Sequence, residues 1–413
     1  MRVKKINTVV LIATMGAIQP VMASQQSEAT GFVEGSKATI NIRNMYMNRD
    51  FRQSNAPQNY GEEWGQGFIG NFQSGFTQGT LGFGLDVLGQ LGIKLDTGDG
   101  RTGGGTGLLE RDSDGAKDSY SKLGGALKVQ FSNSVLKYGN QLMSLPILST
   151  SDARLLPESA TGLSVTSNEI KDLTFSTGHF TGLNNRNDSK PDSARLTSLD
   201  YAGGVYKFND QLTGSLFYQK VDDYWRKYYS NINFNLPFSK TQALNFDFNI
   251  YDTDSVGEER AGELDNRIWS LAAAYTFGAH RFMISHQEVS GRGDYTYGID
   301  GLSTVFVSNS VQYSDFNYQD EKSWQARYDL NLAPYGVPGL TFMTRYVKGY
   351  GFDTATTDDG HAWERDIDVK YVVQEGSAKN LSFRVRNASY RSSDRGGKLD
   401  EVRLIIEYPL SIF

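Results

Sequence analysis

Hydrophobicity in this chain alternates residue by residue. In Leu244-Asn245-Phe246-Asp247-Phe248-Asn249-Ile250 the apolar side chains fall on one face of an extended strand, and the Asn and Asp side chains fall on the other. Ile232, Phe234 and Leu236 alternate in the same way with Asn231, Asn233 and Asn235. Trp324, Ala326, Tyr328, Leu330 and Leu332 alternate with Gln325, Arg327, Asp329 and Asn331. The period continues through Ile367 to Val373, Leu381 to Arg386 and Arg403 to Ile412. Segments of about ten residues are divided by Gly, Asn, Asp and Ser clusters. Such a pattern demands an all-β, antiparallel fold whose strands have one apolar face. It leaves open whether that face meets a protein core or lipid.

Composition bears on that choice. Mean hydropathy is −0.45, and past the N-terminus no apolar run is long enough for a membrane-spanning helix. Yet 12% of residues are aromatic and glycines number 44. A membrane protein with such averages is a barrel, because only alternate residues need be apolar. Aromatics near strand ends (Tyr228-Tyr229, Trp269, Tyr346, Tyr350, Tyr408) suit interfacial girdles, and the chain ends in a strand closed by Phe413. Phe413 falls out of phase with the outward set that ends at Ile412.

The N-terminus reads as a secretory leader. Arg2, Lys4 and Lys5 precede the short apolar stretch Val9–Ile18, and Val21-Met22-Ala23 supplies a small residue for cleavage. We expect residues 1–23 to be removed, leaving 24–413 as one barrel domain. The chain has no cysteine, so disulfides do not hold the exported fold together. Loss of the leader makes the net charge more negative than −6, which argues against a nucleic-acid partner.

Connections alternate in length. Asn209-Asp210 and Gly278-Ala279 read as tight turns, whereas Thr97–Lys122, Gly291–Lys322 and Asp353–His361 read as long polar loops. Short turns at one end and long loops at the other fit an outer-membrane barrel. No repeat or linker marks a second domain.

Several blocks resemble the OprD-type substrate-specific porins. They are Gly31-Phe32-Val33-Glu34-Gly35-Ser36 with Ile42-Arg43-Asn44-Met45-Tyr46, then Asn48-Arg49-Asp50-Phe51-Arg52 and Leu136-Lys137-Tyr138-Gly139-Asn140-Gln141. Leu145-Pro146-Ile147-Leu148 and Asp152-Ala153-Arg154-Leu155-Leu156-Pro157 follow, the latter being the most specific. Lys370–Gly376, Leu381–Asn387 and Glu401–Leu410 complete a similarity that spans nearly all of the expected mature chain. The resemblance implies a transmembrane antiparallel β-barrel of about 18 strands with both termini in the periplasm. It also implies a constriction loop folded into the lumen and a ladder of basic side chains that guides carboxylates past it. The expected function is selective uptake of small anionic or polar solutes across the outer membrane, without a cofactor.

The basic residues have a reading of their own. On a strand whose odd residues face lipid, Arg384 and Arg386 point inward together, roughly 7 Å apart. Arg327, Arg345, Lys370 and Arg403 share the non-lipid phase, and Arg43 in the first strand closes beside the last. A charge on the lipid face costs about 2–4 kcal/mol at the midplane, which forces these groups inward. Such a wall binds carboxylates bidentately and hands them on. The alternative is that these cations pair with Asp329, Asp368 and Glu407 and stiffen the barrel. Both roles can hold for different members.

The segment Ser144–Gly162, with Ser149, Ser151, Asp152 and Arg154, reads as the constriction; an ordinary external loop is the plainer reading. Asp96–Gly100 and Asp112–Gly115 resemble fragments of calcium loops but lack the closing Glu, so a solvated loop is favoured. The four histidines, His179, His280, His286 and His361, show no metal spacing and no Ser/His/Asp arrangement, so no metal site or enzymatic activity is expected. His280 reads as a turn residue. A barrel lipase or protease and a secreted β protein that binds a ligand are the competing classes. Lipid is the expected surroundings. No strand face marks a subunit interface, which leaves a monomer and a weak homotrimer both open.

Overall fold

The computed structural model describes residues 24–413 apart from 54–55, 301–302, 355–356, 394 and 396; the expected leader lies outside the described residues. Eighteen strands form one antiparallel sheet closed on itself. In chain order they are β1 (Lys37–Phe51), β2 (Tyr60–Gln73), β3 (Leu81–Asp96), β4 (Ser119–Phe131), β5 (Ser134–Gln141) and β6 (Ser159–Ser167). Then come β7 (Leu173–Asn184), β8 (Leu199–Lys207), β9 (Leu212–Val221), β10 (Trp225–Ser239), β11 (Gln242–Ser255) and β12 (Asp265–Phe277). The last six are β13 (His280–Arg292), β14 (Lys322–Asn331), β15 (Leu340–Phe352), β16 (Gly360–Val372), β17 (Ser382–Ser392) and β18 (Lys398–Ser411). β1 pairs with β2 on one side and β18 on the other, which closes the seam and satisfies its backbone groups.

The alternation sorts side chains as the sequence implies. Phe282, Ile284, Trp324, Val369, Phe383, Val385, Leu404 and Ile406 stand exposed on the outer wall. Their in-between neighbours Ser285, Gln287, Gln325, Asp366, Asp368 and Arg403 are buried inside. Several charges on the outer phase lie toward the long-loop ends and are paired there, as in Arg226 with Asp254 and Arg267 with Asp252. Phe413 packs edge-on against Phe72, with ring centroids 6.4 Å apart, and so joins the outer wall in spite of its phase.

Tight turns at 132–133, 208–211, 240–241 and 278–279 lie at one end, and the long segments 97–118, 142–158, 185–198 and 293–321 lie at the other. Several boundaries shift from expectation. Ser119 already pairs with Ile93, so the loop after β3 is shorter than Thr97–Lys122. Ser159–Gly162 pairs with β7 and belongs to the wall, not to the constriction. His280 is the first residue of β13, opposite Phe277, rather than part of the turn. Tyr229 is not in a girdle. It is buried inside the barrel, 4.6 Å from the Tyr251 ring, because its phase is opposite to that of its exposed neighbour Tyr228.

Candidate functional site

Three of the long loops turn back into the barrel and are held there by buried groups on the inner wall. Glu63 on β2 accepts hydrogen bonds from the backbone N–H groups of Gly103, Leu108 and Leu109 and from the Thr102 hydroxyl, at 3.0–3.3 Å. One side chain thereby fixes segment 97–118. Leu155 and Leu156 of segment 142–158 pack against Leu108, Leu109, Met45 and Met47. Segment 293–321 is tied down by Glu364, which accepts from the N–H groups of Tyr313 and Ser314 at 2.8 Å each. Arg403 donates to the Gln312 carbonyl at 2.9 Å. The apolar pairs and the charge-assisted bonds make these loops part of the folded interior.

Segment 142–158 forms the waist. Arg43 on β1 donates to Asp152 at 2.7 Å, to Glu407 at 2.6 Å and to the Arg154 carbonyl at 2.6 Å. Arg154 donates to the carbonyls of Thr106 and Ala153 at 2.5 and 3.0 Å, which joins two infolded loops. Burial, and then the nearby charges of Arg403 and Arg186, push its guanidinium well below its ordinary range. Glu158 closes the base of the segment. Its N–H donates to the Ser151 carbonyl, and its carboxylate accepts from the Ser151 N–H, both at 2.8 Å. Ser149 and Ser151 are buried within this framework, whereas the Asp152 side chain is 57% exposed to the lumen.

Below the waist, toward the short-turn end, lies a cavity of about 550 Å³. Arg281, Arg327, Arg345, Lys370, Arg384 and Arg386 line it, with Asp329 and Asp368 as counter-charges. Strand register brings them together. Arg327 faces Arg345 across β14 and β15, and Asp368 faces Arg386 while Lys370 faces Arg384 across β16 and β17. Asp368 lies 2.5 Å from Arg384 and 3.2 Å from Arg386; Asp329 lies 2.6 Å from Arg327.

The expected row of cations therefore divides in two. Arg327, Lys370, Arg384 and Arg386 line the open vestibule, with Arg345 at its back held by Asp366 at 2.7 Å. Arg43, Arg154 and Arg403 belong to the framework that holds the loops. Arg403, only 2% exposed, is sealed between Glu401 and the Gln312 carbonyl and does not present itself to the lumen. Ser149 and Ser151 are likewise structural rather than open to a solute. The pairings with Asp329, Asp368 and Glu407 are all present.

Sequence reading missed Arg49 and Arg281, which share the inward phase of Arg43 and Met283 and were legible from it. Arg49 pairs with buried Glu401 at 2.7 Å. It also missed Glu63, because nothing in the alternation says which loop a wall residue will meet. Among the described residues no group of three or more acidic or histidine side chains is placed to hold a metal.

A closed barrel with an apolar exterior, loops folded into its lumen and a charged passage defines an outer-membrane channel. The family model for outer membrane porins of the OprD family matches residues 30–412, and this chain belongs to that family. Porin D of Pseudomonas aeruginosa is 43% identical over the whole of both chains. The crystal structure of Pseudomonas aeruginosa OccK9 (OpdG) superimposes with a TM-score of 0.88 at 39% identity, covering 92% of this chain and all of that one. Pseudomonas aeruginosa OpdK, solved with vanillate, matches with a TM-score of 0.83 at 33% identity, covering 92% and 100%. The protein is a porin of the outer membrane, and the short-turn end of the barrel is periplasmic.

Proposed function

We propose that this porin takes up small carboxylates by passing them from the waist to the vestibule cations. The reading rests on one observation: among the described residues, six cationic side chains and two carboxylates line the same cavity. A planar guanidinium matches a carboxylate in two parallel hydrogen bonds, and several shallow sites in series let a solute leave as readily as it enters. Arg384, with a side chain 37% exposed, and Arg386 beside it form the first rungs. The bound vanillate of the OpdK structure is an aromatic carboxylate, the chemistry this row would accept. The exported unit is residues 24–413, a single barrel surrounded by lipid.

The test is Arg384→Ala combined with Arg386→Ala in reconstituted liposomes. Uptake of a small carboxylate should fall about tenfold, the loss of one or two charge-assisted hydrogen bonds. Uptake of a neutral solute of equal size should hardly change. Equal losses for both solutes would sink the proposal.

A further inference from the structure

One stretch of the wall is incomplete. β4 pairs with β5 only from Ala126 to Phe131, opposite Ser134 to Gly139. Above that level Ser119–Gly125 keeps β3 as its sole strand neighbour among the described residues, because β5 ends at Gln141 and the chain turns inward to build the waist. Every second residue of that edge directs its N–H and C=O into the gap. Hydrocarbon cannot satisfy those groups, so the gap must meet water or another polar group.

A recess of about 240 Å³ occupies the gap. Gln90 of β3 lines it and is 4% exposed, yet both its amide nitrogen and its amide oxygen are unpaired among the described residues. Asn184 at the end of β7 also lines it, is 5% exposed and has an unpaired amide oxygen. Leaving such groups unpaired costs about 1–3 kcal/mol each. Lys122, the one cation on the lining among the described residues, already donates to the carbonyls of Pro157 and Asn185 at 2.7 and 2.9 Å. Leu123, 84% exposed, supplies an apolar lip on the outer wall.

The unmet groups include both a donor and acceptors. A carboxylate only accepts and an ammonium only donates, whereas a hydroxyl does both. We propose that the recess between β4 and β5 binds an uncharged, hydroxyl-rich group of sugar-ring size, held by Gln90 and Asn184. A free sugar and the headgroup of a membrane glycolipid present the same chemistry. This site is separate from the vestibule, so it stands whether or not carboxylates are the transported solutes.

The experiment uses the full barrel in discs of phospholipid alone. Methyl glucoside probes a free sugar, and an alkyl glucoside partitioned into the disc probes a membrane headgroup. Binding is followed by calorimetry and by saturation-transfer NMR. Binding of either probe, weakened about tenfold by Gln90→Leu, supports the site; the alkyl glucoside alone identifies the membrane as the source, and methyl glucoside identifies free sugar. Gly125→Leu, which fills the recess from the outer wall, is the second variant should Gln90→Leu fail to fold, as judged by heat-modifiable gel mobility. Carboxylate uptake stays unchanged in both. Binding of neither probe to the parent protein, or equal binding by the folded variants, overturns the proposal.

Discussion

Individual charges in this lumen act through the counter-ions they keep. Asp368 is buried and faces both Arg384 and Arg386, so it neutralises about half of the vestibule's first two rungs. Replacing it by Asn preserves shape and removes the charge. Asp368→Asn should shift the reversal potential in a salt gradient further toward anion selectivity, and an unchanged potential would show that the two arginines are not felt by ions. Glu158 carries a different consequence. Burial first, and Asp300 second, raise its carboxyl from an ordinary 4.5 to about 8. A carboxyl raised on folding stabilises the folded arrangement while protonated. Its contribution is complete below about pH 4.5 and is lost as pH rises toward 8. Segment 142–158, whose base Glu158 closes, should therefore become steadily more susceptible to limited proteolysis as pH rises from about 5 to about 8, because burial and Asp300 disfavour the ionised carboxyl. Glu158→Gln should flatten that profile.

At the scale of elements, each infolded loop depends on a few contacts with the wall. Glu63 gathers four donors of segment 97–118, and its truncation leaves them without an acceptor in a buried site. Glu63→Ala should lower the thermal midpoint of the barrel and widen the passage, seen as a larger single-channel conductance, with a cost of about 3 kcal/mol or more for several orphaned donors. A lower midpoint with unchanged conductance would mean that the loop stays in place without this anchor. The strands themselves were legible because lipid outside and water inside impose a period of two. Arg384, Arg386, Lys370 and Arg327 share the inner phase for the same reason and line one cavity. Their division into open rungs and structural clamps was not legible. Arg403 and Arg386 occupy facing positions on adjacent strands, yet one is covered by Gln312 and the other opens on the cavity. Only the path of a loop distant in sequence separates them, and alternation carries no record of it.

Across the whole molecule, the two groups of cations experience different dielectrics. The vestibule side chains reach water, whereas Arg43, Arg49, Arg154 and Arg403 at the waist are nearly enclosed. Salt screens exposed charges over about 10 Å at 0.1 M and about 3 Å at 1 M, but it reaches buried pairs far less. Anion selectivity that comes from the vestibule must therefore fall as salt is raised across this range, while the folded-in loops stay in place. Reversal potentials measured at fixed gradient ratio from 0.1 to 1 M should drift toward zero in the parent protein. In the Arg384→Ala, Arg386→Ala variant they should start nearer zero and drift less. A selectivity that persists at 1 M salt would move its origin from the open vestibule to the enclosed waist, where Asp152 and Arg43 meet.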